Sequence, residues 1–402
     1  MPVESAPLLI QQLSVRDLAT RCRIRTTAAT GGALLLLASL FAAPPSVAAG
    51  LPSAALQAII DDAVQSGLPG AVVRVEAADG EVWTGAAGTT TIGGADMTTD
   101  SLFRLFSITK TITAATAFTL IDEGRLGLDD PISQWLDAAL IADLPNSGAV
   151  TVRHLIAQTG GIRDYYDPQL IAAIRADFER VWTPAELVAH AAKGDPQSPP
   201  GDAASHYANT NYALLGLIIE KVTGTTLADA IRDRVLEPLG ATETYSGSSA
   251  GHPAPVAGYF TEDGELLDVS AIDQSVMWAS GDILSTAADT AKLLRGILAG
   301  DLLSAESRAL MTGDFRPLVG RGVDYGYGTF RVPVLYPAPV GHSGEGPGGD
   351  SLALRWPDDG TILVILTDLD NGAHIDMLFK IAAVLGKSAS PDLPPPPVTS
   401  SN

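Results

Sequence analysis

Cysteine is almost missing from this chain of 402 residues: Cys22 stands alone, so no internal disulfide can form. With no CxxC and no Cys/His cluster, a thiolate framework for structural zinc is excluded as well. The six histidines, His154, His190, His206, His252, His342 and His374, show neither H-E-x-x-H nor H-x-H spacing, so no metallohydrolase ligand set is legible. Basic residues are also few. Lys plus Arg number 25 against 46 Asp plus Glu, a formal charge of -21 that repels polyphosphate and argues against a nucleic-acid role. The apolar run from 31 to 43 falls short of the roughly 20 residues a spanning helix needs. What is present is apolar material, 46% of the residues, enough for a large buried core.

The start of the chain reads as an address. Arg16, Arg21, Arg23 and Arg25 precede the leucine-rich run, and Pro44, Pro45 and Ser46-Val47-Ala48-Ala49 follow it. A basic region, a short apolar region and an A-x-A-like site predict a secretory signal peptide over residues 1–49, cut near Ala48 or Ala49. No twin-arginine pair and no cysteine at the cut point are present, so a Sec-type signal is expected, with an extracytoplasmic product that keeps no stable membrane anchor. That product would begin at Gly50 and is long enough for two lobes.

Residues 53–67 carry a helical stripe at Leu56, Ile59, Ile60 and Val64, and a hairpin follows, with Val72, Val73 and Val75 before the Asp79-Gly80 turn and Val82-Trp83-Thr84 after it. Helical patterns then dominate to about 315, including 131–140, 212–222, 227–236 and 286–298. Strand signals return at 327–334, 351–356 and 361–367, before a last helix over 373–385. A Pro-rich tail, 388–402, is expected to be disordered. Strands at both ends with helices between them predict an α+β fold: one antiparallel sheet built from residues 50–106 and 316–387, and a mainly helical lobe, 107–315, inserted between them.

Chemistry concentrates in LFSITKTITAATAFTLI, residues 105–121, apolar or small on every side and carrying one charge, Lys110. An ammonium there either finds polar partners or loses its proton, since burial depresses a lysine pKa by up to ~3–5 units. Ser107, three residues earlier on the same helical face, lies within reach. A neutral amine beside a serine at a helix N-terminus supplies a base, a water-poor setting and a favourable dipole. The S-x-x-K pattern alone recurs by chance, and its bland reading is a capping serine with a snorkelling lysine. Two further clusters raise the odds. Tyr207-Ala208-Asn209 lies between a loop and an amphipathic helix, and His342-Ser343-Gly344 precedes the last hairpin.

With these motifs, and with long blocks such as FRLFSITKTITAATAFTLIDEGRLGLDDPISQWL, TVRHLIAQTGGI and NYALLGLIIEKVTGTTL, residues 53–386 resemble the serine penicillin-recognising enzymes. The branch is that of class C β-lactamases, D-Ala-D-Ala carboxypeptidases and related esterases, with a β-lactamase/transpeptidase-like fold. The resemblance implies that Ser107 is acylated and that Lys110 and Tyr207 share the proton work, Tyr207 in or near its phenolate form. It implies that Asn209 holds the substrate amide, that His342, Ser343 and Gly344 dock the substrate against a sheet edge, and that the backbone N–H groups of Ser107 and Glu345 form the oxyanion hole. No cofactor and no metal are expected, and the partner is a small-molecule or peptide substrate. The implied activity is D-Ala-D-Ala carboxypeptidase-like, on peptidoglycan peptides. The alternatives are a β-lactamase, a small-ester hydrolase, or a non-catalytic penicillin-recognising binding module, against which intact Ser107, Lys110 and Tyr207 argue.

Position 345 departs from the family pattern, being usually small and uncharged. A Glu345 side chain facing the cleft would repel carboxylate substrates and favour esters or amines; one pointing away would leave only its backbone donor in play. Two other motifs lose. G-x-S-x-G at 247–251 lacks the expected strand before it, and Pro253 and Pro255 forbid a helix after it, while G-x-G-x-x-G at 344–349 runs into a strand-like alternation instead of a helix.

Overall fold

The computed structural model describes residues 50–389 apart from residue 193; Cys22, the expected signal segment and residues 390–402 lie outside it. Five longer strands form the centre of one antiparallel sheet: β1 (Gly70–Glu76), β2 (Val82–Gly88), β3 (Val340–Gly346), β4 (Gly349–Arg355) and β5 (Ile362–Thr367). Their order is β2-β1-β5-β4-β3, and short strands at Phe330–Arg331, Asp324–Tyr325 and Arg316–Pro317 extend the sheet beyond β3. The two ends of the chain therefore meet in the middle of the sheet, where Val73 pairs with Ile365.

Both faces of the sheet are covered at its middle, so β1, β4 and β5 are buried at nearly every position, whereas β2 at the edge is only partly buried. Val73, Val75, Leu352, Leu354, Leu363 and Ile365 pack against α1 (Ser53–Gln65) and α5 (Ala373–Val384). Their alternates, Val72, Val340, Ala353, Val364 and Leu366, join the other core. That core runs through the inserted segment, whose central helices are α2 (Thr109–Asp122) and α3 (Asn209–Thr223), and includes α4 (Ala287–Ala299), which lies against this second face of the sheet.

Local signals explain these boundaries. Thr286 caps α4 through the Asp289 N–H, and α3 stops at Gly224 in the left-handed region, φ 76°. Two small sheets join the inserted segment to its flanks, each with one strand from outside 107–315; one of them joins Phe103–Arg104, Ile283–Ser285 and Thr244–Ser246. The last of these strands precedes Gly247, so the strand that the G-x-S-x-G motif was expected to lack is present; the helix after it is not. The helix expected over 131–140 is broken into Ile132–Gln134 and Ala138–Ile141, and the strand expected over 327–334 is only Phe330–Arg331. Ser388–Ala389, placed in the tail on composition, pairs with Leu335–Tyr336.

Candidate active site

The chain reaches Ser107 through a forced bend. Phe106 has φ 45°, a left-handed conformation that costs a non-glycine residue about 1–3 kcal/mol. It turns the backbone from strand Phe103–Arg104 into a 3-10 turn, Phe106–Ile108, that feeds α2. Ser107 thus sits just before the α-helix, not within it, and is half-buried at the cleft.

Lys110 is completely buried in the first turn of α2. Its Nζ lies 2.9 Å from Ser107 Oγ, 2.7 Å from Asn209 Oδ1 and 2.9 Å from the Ser280 carbonyl oxygen. Burial lowers its pKa to about 7; the Asp164 carboxylate opposes that shift and Arg321 reinforces it. A neutral amine has two N–H groups and one lone pair. The two acceptor oxygens of Asn209 and Ser280 use the N–H groups, which leaves the lone pair to receive a hydrogen bond from the Ser107 hydroxyl.

Tyr207 lies two residues before Asn209, which opens α3, and lines the same cleft as Ser107, whose hydroxyl is near enough to act on the phenol. The Lys110 amine sits 4.8 Å from the centroid of the Tyr207 ring. The phenolate expected at Tyr207 is not supported. Burial, with Tyr325 beside it, pushes the phenol well above its ordinary value, and the nearby Ser107 hydroxyl only partly opposes this. Tyr207 is a neutral phenol, and the proton acceptor beside Ser107 is the amine.

β3 closes the cleft. An added Cβ on Gly344 would lie 2.3 Å from the Leu105 carbonyl oxygen and 2.8 Å from Ser107 N, and one on Gly346 would strike the Phe106 ring. Only glycine lets this strand approach the Ser107 backbone so closely. Strand alternation then puts Ser343 and Glu345 on the opposite face, with their cross-strand partners Leu352 and Asp350. The Glu345 side chain accordingly turns away from the face that meets Ser107. It lies at the lip of the cleft, where Arg321 Nη1 is 3.4 Å from one carboxylate oxygen and His374 Nε2 is 3.9 Å from the other. Of the two orientations weighed for Glu345, the side chain takes the one directed away from Ser107, and the carboxylate at the lip is paired with Arg321.

His342 is fully buried, stacked on Phe330 with ring centroids 4.0 Å apart. Burial and the nearby Lys110 lower its pKa to about 3, so it is a neutral wall of the site and does not touch the cleft as a docking group. Ser343 does line the cleft.

Sequence reasoning missed two charged residues. Asp164 accepts from the Asn209 backbone N–H at 3.0 Å and from its side-chain amide at 3.1 Å, fixing the amide so that its oxygen faces Lys110. Burial raises the Asp164 pKa to about 6. Arg321, from the loop between two short edge strands, borders the cleft beside Glu345. Neither lies in a recognisable motif; both meet the site only through tertiary folding.

A strained bend holding a serine, a buried lysine on the next turn and a tyrosine from a second lobe define the serine hydrolase class built on the β-lactamase and penicillin-binding-protein fold. The chain belongs to the beta-lactamase family, whose model matches residues 56–385. It is 30% identical over 322 residues to penicillin-binding protein 4 of Amycolatopsis lactamdurans, covering 75% of this chain and 81% of that one. Penicillin-binding protein 4* of Bacillus subtilis is 28% identical over 310 residues; the match takes in 71% of this chain and only 64% of that relative's length. Among solved structures, a D-stereospecific amidohydrolase from Streptomyces sp. superposes with a TM-score of 0.72 at 32% identity, covering 81% of this chain and 97% of that one.

Proposed function

We propose that this protein is an exported acyl-transfer hydrolase in which Ser107 attacks an amide or ester carbonyl, with D-Ala-D-Ala carboxypeptidase-like cleavage of peptidoglycan peptides as its activity. The observation that carries this reading is the Lys110 contact set: a completely buried amine, its pKa lowered to about 7, 2.9 Å from the Ser107 hydroxyl. In the proposed mechanism the amine takes the Ser107 proton as Oγ bonds to the carbonyl carbon. The Tyr207 phenol, lining the same cleft, passes a proton to the leaving nitrogen or oxygen and is reprotonated from Lys110, which restores both groups at the acyl-enzyme; in deacylation the amine takes a proton from the attacking water and returns it to Ser107 Oγ as the acyl C–O bond breaks. The N–H groups of Ser107 and Glu345 would receive the developing oxyanion, and Asn209, with its amide already pinned by Asp164, would align the substrate amide. Export rests on the basic and leucine-rich start of the sequence.

The resemblance to a D-stereospecific amidohydrolase favours a second reading, hydrolysis by the same acyl-enzyme of D-configured amides other than peptidoglycan peptides. One panel separates the two. The purified protein is offered a D-Ala-D-Ala tripeptide, a D-amino acid amide, a chromogenic cephalosporin and p-nitrophenyl acetate, while a fluorescent penicillin or fluorophosphonate reports on the nucleophile. Covalent label on the wild type and none on Ser107→Ala is expected, with the tripeptide the best substrate. An unlabelled wild type would leave a binding module in place of an enzyme.

A further inference from the structure

A second cavity adjoins the cleft. It encloses about 80 Å³ between β3, α5 and the edge loop, and shares Arg321, Phe330, Ser343 and Glu345 with the cleft itself. Its floor is hydrocarbon: Val332, Val334, Leu352, Leu354, Leu378 and Phe379. Its mouth carries the one ion pair shared by both spaces, Arg321 with Glu345, whose side chains remain 32% and 22% exposed.

The register of β3 says how a substrate would meet this cavity. On its outer side β3 pairs with Phe330–Arg331 only through Val340 and Gly341, so among the described residues its edge from Ser343 to Gly346 has no strand partner. An extended chain laid on that edge alternates its substituents between the two faces of the sheet. On one face lie Gly344 and Ser107. On the other lie Ser343, Leu352 and the cavity. An extended substrate whose reacting carbonyl meets Ser107 therefore directs a neighbouring substituent toward the hydrocarbon space.

We propose that this cavity is a specificity subsite for one apolar substituent of the substrate, aromatic or branched aliphatic, flanking the scissile bond, with the Arg321–Glu345 pair bracketing its entrance. This rests on the acyl-enzyme reading for its catalytic meaning, while the cavity itself can be probed without catalysis. The pair suits the polar backbone that must remain at the mouth while the apolar group enters, and it gives a charged substituent no partner inside.

The test has two arms. In the first, acylation of Ser107 is followed with p-nitrophenyl esters of increasing acyl size and with acetate esters of increasing alcohol size. An apolar group on one side of the bond should raise kcat/KM on the order of tenfold or more over its small analogue, as for a filled hydrophobic pocket. Val334→Phe and Val323→Phe, both at half-buried positions lining the space, should each cancel most of that gain; thermal melting shows which variant is folded. In the second arm, toluene is titrated into the Ser107→Ala protein and followed by NMR, with loss of binding in the two filled variants expected. If Ser107 acylates without apolar preference on either side, the subsite is overturned. If Ser107 never acylates but toluene binds and is excluded by the filled variants, the cavity assignment stands and the acyl-enzyme reading falls. Toluene binding unaffected by both filled variants counts against the cavity in every case.

Discussion

At the residue scale the molecule turns on one amine. Lys110 has a pKa near 7 because burial outweighs the pull of Asp164, so the base is present above that pH and is lost as an ammonium below it. Acylation by p-nitrophenyl acetate should therefore fall about tenfold per pH unit on the acidic side. Lys110→Ala should remove nearly all of it. Asp164→Asn takes away the charge that raises the amine's pKa, so its acidic limb should move to lower pH while Ser107 remains labelled; a limb that stays put would show that Asp164 does not act on the amine. The burial of Lys110 was legible in its uninterrupted apolar helix. Asp164 was not, because a carboxylate after Gly160-Gly161 looks like any loop residue until the chain folds it under Asn209. The protonation state of Tyr207 also escaped sequence reasoning: neighbouring cationic partners can be inferred from motifs, but the desolvation that overrules them depends on Tyr325 and on depth in the fold.

At the element scale the active site is an approach of one strand to one bend. Gly344 sits where any side chain would overlap Leu105 O and Ser107 N, so Gly344→Ala should push β3 away from the nucleophile. A displacement of this kind is expected to lower kcat by on the order of 10²-fold with little change in melting temperature, read from steady-state kinetics beside a thermal scan. Strand and helix identities at the two ends of the chain were readable from their apolar patterns and from the Asp79-Gly80 turn. Of the three short edge strands beyond β3, Phe330–Arg331 fell within the strand signal at 327–334, whereas Arg316–Pro317 and Asp324–Tyr325 were not legible. Two residues of pairing leave no period to detect, and their existence depends on the neighbouring strand.

At the scale of the whole molecule, several buried carboxyls oppose alkaline stability. Asp368, which accepts from the Gly70 N–H at 2.8 Å and so ties the start of β1 to the end of β5, has its pKa raised by burial to about 7; burial likewise raises Asp282 to about 6. The folded state holds these protons over a range where an unfolded chain, with an aspartate near 3.8, has released them. Stability from these groups is therefore complete at acid pH and declines as pH rises toward 7. The formal charge of -21 acts in the same direction through self-repulsion. Asp368→Asn, which keeps an oxygen for Gly70, should flatten the fall of melting temperature between mildly acid and mildly alkaline buffers; an unchanged slope would clear Asp368 of that role. The meeting of the two chain ends in one sheet was legible as strand signals at either end. The Asp368 clasp across them was not, since nothing local marks it.

The three oxygens around the Lys110 amine come from residues 107, 209 and 280, parts of the chain far apart in sequence. Until all three have converged, the serine is an ordinary alcohol and the amine an ordinary solvated cation. On the acyl-enzyme reading, reactivity thus requires all three segments in place, and a covalent probe of the serine would double as a census of molecules in which they have met.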